Sequence, residues 1–295
     1  MEPSLERVRE VILREDGEAF LRVMRGLYRG EAGAWDAARE DTRREIVALG
    51  LAAARTHGAA LTSRGYIVGN VAKEYCNWLD HGRTMPEPRP FPEMVAGKDV
   101  LDLGCGFGRW LWEFQRTARS VTGLEMQPEF VDLGQALARR EGRAVPAVFC
   151  AAAEDVEALV APASMDLAFC RLMFSYVRIR KTLEALATRL RPGGVLWMQV
   201  DTLRACCRNL LRERRPSSVG LNAFAIVNSV VLMTAGVQLA VKVRGRMHAT
   251  HRVAYPTLPW WRRSILQSGF SDFHDVTRGD GTLTFWARRP TPPRN

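Results

Sequence analysis

Ten residues a third of the way along the chain constrain its fold most. Asp99-Val100-Leu101-Asp102-Leu103-Gly104-Cys105-Gly106-Phe107-Gly108 is an apolar run ending in three alternating glycines, and the helix-like stretch Arg109–Arg119 follows. This reads as a strand feeding a tight turn and then a helix. Glycine tolerates positive φ and lets backbone approach a ligand closely. In an open α/β sheet such a turn lies at the carboxyl ends of the strands, where ligands bind.

The spacing narrows the ligand. A dinucleotide fingerprint is G-x-G-x-x-G, with a pyrophosphate on the helix N-terminus. Here the third glycine comes one residue early, at Gly108, and Arg109 follows. G-x-G-x-G suits a ligand without a pyrophosphate. A phosphate-cradling P-loop would need a Gly-Lys-Ser/Thr ending, which is missing. About twenty residues on, Val121-Thr122-Gly123-Leu124-Glu125 reads as a second strand ending in a carboxylate, positioned to accept hydrogen bonds from ribose hydroxyls.

The surrounding pattern alternates. Strand candidates at Val121–Leu124, Ala147–Cys150, Asp166–Cys170 and Val195–Val200 are separated by helical stretches at Phe130–Arg140 and Ile179–Leu190. Such alternation indicates βαβ units and a parallel sheet. Phe273–Val276 and Leu283–Ala287, joined through Arg278-Gly279-Asp280-Gly281, read as a hairpin.

These segments together resemble the class I S-adenosylmethionine-dependent methyltransferases over roughly residues 98–200 and 265–290. Leu101–Gly108 resembles the family's first motif, Asp166–Arg171 its fourth strand, and Leu190-Arg191-Pro192-Gly193-Gly194 its turn into the fifth. The resemblance implies an α/β fold, a doubly wound seven-stranded sheet of order 3-2-1-4-5-7-6 with the last strand antiparallel. It implies S-adenosylmethionine as cofactor, with Asp102, Gly104, Cys105, Gly106 and Gly108 at the methionine end and Glu125, beside Met126, on the ribose. Asp102 supports the loop. The family's adenine-binding acid is missing, because Ala152 stands at its expected position. Either Glu154 or Asp155 substitutes for it, or backbone at Ala153 and packing alone hold the adenine, and Arg171 at the end of the fourth strand completes the cofactor set. No metal is implied.

Around this core the sequence divides. Residues 1–85 read as a helical N-terminal cap, with periodic stretches at Leu5–Leu13, Ile46–Ala60 and Tyr66–Leu79. Tyr66, Tyr75 and Trp78 either line an acceptor site or pack a core. Four prolines between Pro86 and Pro92 form a stiff linker, and residues 93–295 form the second domain. The segment 203–263 is an insertion after strand five, a helical lid shaping an acceptor pocket. Its run 216–241 carries no charge and is flanked by arginines. It is long enough to span a bilayer, but the hairpin at 273–287 must rejoin the sheet on the same side, which excludes a single crossing. A buried lid is favoured over an interfacial element on an anionic membrane surface. Trp260 and Trp261 fit either reading, as pocket walls or interface anchors.

Methyl transfer to a hydroxyl or amine benefits from a general base. Tyr176 follows the fourth strand, Asp201 ends the fifth, and His248 and His251 would share a face on a helix. These four are the catalytic candidates. The six cysteines form no CxxC pair, and Cys105, Cys150 and Cys170 read as small hydrophobes in strands. With no apolar leader at the N-terminus, a reduced, cytoplasmic setting is expected. The acceptor is expected to be a small molecule: a specialised metabolite, a sugar or a lipid-linked compound. The net charge of +10 keeps RNA methylation as an alternative, disfavoured because the arginines cluster beside an apolar run. A non-catalytic cofactor-binding or membrane-surface protein is the other alternative.

Overall fold

A computed structural model describes residues 5–56, 58–85, 89–212, 216–242, 250–278 and 281–291. The helices are α1 (Leu5–Leu13), α2 (Gly17–Arg29), α3 (Glu40–Ala48), α4 (Ser63–Asp80), α5 (Pro92–Val95), α6 (Arg109–Phe114), α7 (Pro128–Arg140), α8 (Val156–Leu159), α9 (Ile179–Arg189), α10 (Leu203–Arg212), α11 (Pro216–Ala235) and α12 (Leu258–Gln267). The main-sheet strands are β1 (Asp99–Leu103), β2 (Ser120–Glu125), β3 (Ala147–Cys150), β4 (Met165–Arg171), β5 (Leu190–Asp201), β6 (Ser271–Asp275) and β7 (Thr282–Arg288).

These seven strands form one sheet in the order β6-β7-β5-β4-β1-β2-β3. Strands β1, β2, β4 and β5 are parallel, with Val100 beside both Val121 and Leu167 and Cys170 beside Met198. β7 runs antiparallel against β5, with Phe285 beside Met198. This is the expected 3-2-1-4-5-7-6 order. Interior strands are buried on both faces and so read as continuous apolar runs. β1, with Val100, Leu101 and Leu103 all fully buried, follows that rule. β3 lies at the sheet edge, and there Cys150 is exposed rather than packed as a small hydrophobe.

The described residues pack as two compact units. One comprises residues 1–87, 106–113 and 127–150. In it α2 lies on α4, and α7 packs on α1 and α4. The hydroxyl of Thr62 accepts from the Gly65 amide at 3.0 Å and so caps α4. Tyr75 and Trp78 are buried: the Tyr75 hydroxyl donates to the Glu141 carboxylate, and Trp78 meets Trp112 edge-on at 5.3 Å. The expected helix at Ile46–Ala60 is not formed. α3 stops at Ala48, Gly50 takes φ +64°, and Ala52–Ala54 pairs with Ala59–Leu61 as a two-stranded ribbon.

The other unit comprises residues 88–105, 114–126 and 151–295. One sheet face presents Leu101, Ala168, Cys170, Leu196 and Met198 to a core shared with Leu183 and Leu186 of α9 and Trp261 and Ile265 of α12. The other carries Phe169 stacked on Trp197 at 4.8 Å, with Phe114 edge-on at 5.0 Å. Trp260 and Trp261 belong to the first core, where Trp261 meets Phe174 at 5.7 Å. Buried there, they are not interface anchors. The helix expected over Arg109–Arg119 ends at Phe114.

The insertion is helical first and extended afterwards. α11 buries Ala225, Asn228, Ser229 and Leu232, a stripe at i, i+3, i+4 and i+7. Its polar members hold a strap of chain. Asn228 Nδ2 donates to the carbonyls of Leu239, Arg252 and Val253 at 2.9–3.2 Å, and its Oδ1 accepts from the Leu239 amide at 2.7 Å. Ser229 Oγ accepts from the Tyr255 amide at 2.8 Å. Gln238 donates to the carbonyls of Val177 and Arg252 and accepts from the Ile179 amide. The polar residues within the uncharged run therefore satisfy backbone groups that burial would otherwise strand. No helix among the described residues is long and apolar enough to cross a membrane.

Candidate cofactor and acceptor site

The carboxyl ends of β1 and β2 define the site. Gly104, Gly106 and Gly108 all have positive φ, +75°, +57° and +90°, so the loop needs all three glycines. The amides of Gly104 and Cys105 both donate to the Leu124 carbonyl, at 2.8 and 3.0 Å. This ties the start of the turn to the end of β2. A Cβ on Gly104 would stand 2.7 Å from Met173 Cβ, whereas one on Gly106 would meet nothing within 4 Å. The Phe107 carbonyl lies 2.2 Å from where a Cβ on Gly134 of α7 would stand. Gly134 is thus a fourth glycine the loop depends on. Its signal in the sequence is only a glycine inside a helical stretch.

Asp102, Cys105 and Glu125 are brought together. Asp102 is 2% exposed and Glu125 9%. Burial pushes the Cys105 thiol well above its ordinary pKa, and the neighbouring charges of Asp102 and Glu125 push it further. Cys105 is therefore a neutral packing residue. Met126 is exposed. The amide of Ala151 donates to the Glu125 carbonyl at 3.0 Å, which sets the following turn, Ala153–Asp155, beside the end of β2. Ala153 opens that turn. Glu154 Oε1 accepts from the Arg178 amide at 3.1 Å, just before α9. One carboxylate oxygen of Glu154 therefore serves the start of that helix.

Arg171 closes β4 beside Gln199 of β5. The next residue, Leu172, takes φ +56°, an uncommon conformation for a branched side chain, and its amide donates to the Gln199 carbonyl at 2.7 Å. Met173 then packs on Gly104. Backbone strain of this kind collects at ligand-binding turns, and nothing in the residue type signals it.

Beyond this turn lies a second group. Tyr176 is exposed and Asp201 half-buried at the end of β5. Tyr255, on the strap held by α11, is half-buried, and burial pushes its phenol well above the ordinary value. Tyr176, Asp201 and Cys206 push it in the same direction. Tyr176 and Asp201 thus share one neighbour, Tyr255, which sequence reasoning missed because it lies 54 residues past β5 in an unpatterned stretch. His251 sits in a short strand opposite Val241, not on the expected helix. His248 lies outside the described residues. Among the described residues, no cluster of His, Cys, Asp and Glu is arranged to hold a metal ion.

The donor set fits S-adenosylmethionine. Gly106 leaves open space where a side chain would stand, and a buried carboxylate, Glu125, ends the adjacent strand. Comparison with known proteins agrees. Residues 100–194 match the family model described as Methyltransferase domain. The ubiquinone biosynthesis O-methyltransferase of Chromobacterium violaceum is 32% identical over 111 residues, 37% of this chain and 46% of that protein. The methyltransferase tpcM of Aspergillus fumigatus is 32% identical over 95 residues, 32% of this chain and 28% of that protein. The chain spans about half the length of the first of these relatives and less of the second. In fold, it resembles a chain from the complex of the Haloferax volcanii Trm112 methyltransferase activator with a methyltransferase. There the TM-score is 0.51 at 15% identity, covering 79% of this chain and 97% of that one. Sheet order, glycine loop and family match agree: residues 100–194 form a methyltransferase domain, on the seven-stranded sheet order expected from the resemblance to the class I S-adenosylmethionine-dependent methyltransferases.

Proposed function

We propose that this protein transfers the methyl group of S-adenosylmethionine to a hydroxyl oxygen of a small, largely apolar acceptor. The observation that carries the reading is the three-glycine turn, open at Gly106, beside the buried carboxylate of Glu125. Oxygen is favoured as the acceptor atom because the matching Chromobacterium violaceum protein is named an O-methyltransferase.

When bound, the cofactor supplies a sulfonium-activated methyl group open to in-line displacement. The protein's part is alignment and exclusion of water. The glycine turn holds the methionine end, and Glu125 accepts hydrogen bonds from the ribose. Asp201 would take the proton that the acceptor hydroxyl loses on methylation. Tyr255, kept protonated by burial, donates a hydrogen bond that orients the acceptor. Tyr176 closes the same side. α11 and the strap it holds serve as the lid, and their buried apolar side chains, such as Leu232 and Ala254, select the acceptor.

The test is turnover. The full chain is incubated with S-adenosylmethionine and a panel of small hydroxylated and aminated acceptors, and S-adenosylhomocysteine is measured with product mass. Hydroxyl-dependent turnover that falls at least about a hundredfold in Asp201→Asn, the scale of a lost general base, is expected. Cofactor binding without turnover on any small acceptor, together with methylation of RNA, would overturn it.

A further inference from the structure

We infer that the outward faces of α10 and α11 dock this protein onto an anionic lipid bilayer surface. This goes beyond the methyl-transfer reading and stands independently of it.

The first observation is the polarity of α11. Its polar residues Asn228 and Ser229 are fully buried. Its outward stripe, Gly220, Ala223, Val227, Val230 and Thr234, is uncharged and carries two large apolar residues, with Val227 55% and Val230 48% exposed. Val237 and Leu239, just past the helix, are also exposed. A helix facing water normally shows the opposite arrangement. The exposed stripe continues what a bilayer interface would cover.

The second observation is charge. Residues 202–271 contain 11 of the 42 basic residues and one of the 32 acidic ones, Glu213, so the remaining 31 basic and 31 acidic residues balance. The whole net charge of +10 belongs to the segment that carries the apolar face. On α10, Arg204 and Arg208 are exposed in line with Leu211, which is 87% exposed. Exposed arginine and leucine on α10, with exposed valine on α11 packed against it, suit headgroup phosphates above acyl chains. A second copy of the chain would bring like charge against like on this face. RNA has no use for the valine stripe. No helix among the described residues is fit to cross a membrane, so the contact is peripheral.

The experiment is flotation of the full chain with vesicles of phosphatidylcholine alone or mixed with phosphatidylglycerol. Co-flotation with the anionic vesicles, weakened by salt and absent with phosphatidylcholine alone, is expected. Arg204→Ala should lower the apparent affinity by roughly fivefold, the value of one arginine near such a surface. The double variant Val227→Asp/Val230→Asp should lose flotation while still binding S-adenosylmethionine in vesicle-free solution. That titration also separates this proposal from the methyl-transfer reading. Failure of the wild-type chain to float with anionic vesicles would overturn it. So would equal binding to neutral vesicles, RNA binding that the valine variants keep, or a dimer that the same variants dissolve.

Discussion

Gly104 and Gly106 are neighbours in one loop, and their alanine variants should behave differently. At Gly104 the φ of +75° costs an L-residue about 1–2 kcal/mol. The new Cβ would also stand 2.7 Å from Met173 Cβ, an atom fixed to backbone that has no rotamer to retreat into. Overpacking of this kind adds about 1–3 kcal/mol. The combined loss of about 2–5 kcal/mol corresponds to a fall in Tm of about 5–15 °C in a unit of this size. At Gly106 the φ is +57° and nothing lies within 4 Å, so only the strain of about 1–2 kcal/mol remains. The space that Cβ enters is the space assigned to the cofactor. Gly106→Ala should therefore lower S-adenosylmethionine affinity at least tenfold, about 1.4 kcal/mol, with a small change in Tm. Differential scanning calorimetry and isothermal titration calorimetry on both variants read the two effects separately. A Gly106→Ala variant that binds cofactor like wild type would refute the assignment of that space. A Gly104→Ala variant as stable as wild type would refute the loop geometry.

Three further outcomes follow from particular contacts. Asn228→Ala should cost about 1–3 kcal/mol for stranded backbone groups and speed hydrogen exchange at the Leu239 amide, which loses its acceptor; unchanged protection there would contradict the strap. Exposed Cys150 and partly exposed Cys207 should react with a thiol reagent before buried Cys76, Cys105, Cys170 and Cys206; burial holds the thiols of Cys76 and Cys206 at about 11, and fast labelling of Cys105 would refute its packing role. Asp99 is held below the ordinary carboxylate range, chiefly by its hydrogen bonds with Arg119. Its contribution is therefore present above the unfolded value near 3.8 and lost as pH falls below it. Asp99→Asn should flatten the acid limb of the stability curve, measured by denaturant titration against pH.

The sheet was legible because its strands are hydrophobic on both faces and its turns carry glycines with a geometric reason. Val100–Leu103 and Val195–Val200 signal themselves in this way, and Gly104, Gly106 and Gly108 announce a turn that only glycine makes. The end of β2 at Glu125 was legible from the apolar run before it. Residues 46–60 misled because an alanine-rich run has helical propensity, whereas the ribbon there is set by tertiary pairing between Ala52 and Leu61. Trp260 and Trp261 showed their size but not their neighbours, Phe174 and Phe285. Tyr255 was invisible because its position depends on Ser229, 26 residues earlier, and not on any local pattern. The positive φ at Leu172 was equally hidden, since a branched side chain gives no signal of such a backbone.

Calorimetric titration of S-adenosylmethionine into the full chain, with Glu125→Ala alongside, tests the central claim most directly. A single saturable site is predicted, competed by S-adenosylhomocysteine, indifferent to a nicotinamide dinucleotide, and weakened at least tenfold in Glu125→Ala by loss of the ribose contacts. Absence of binding by the wild-type chain, or binding that Glu125→Ala leaves unchanged, would contradict the account.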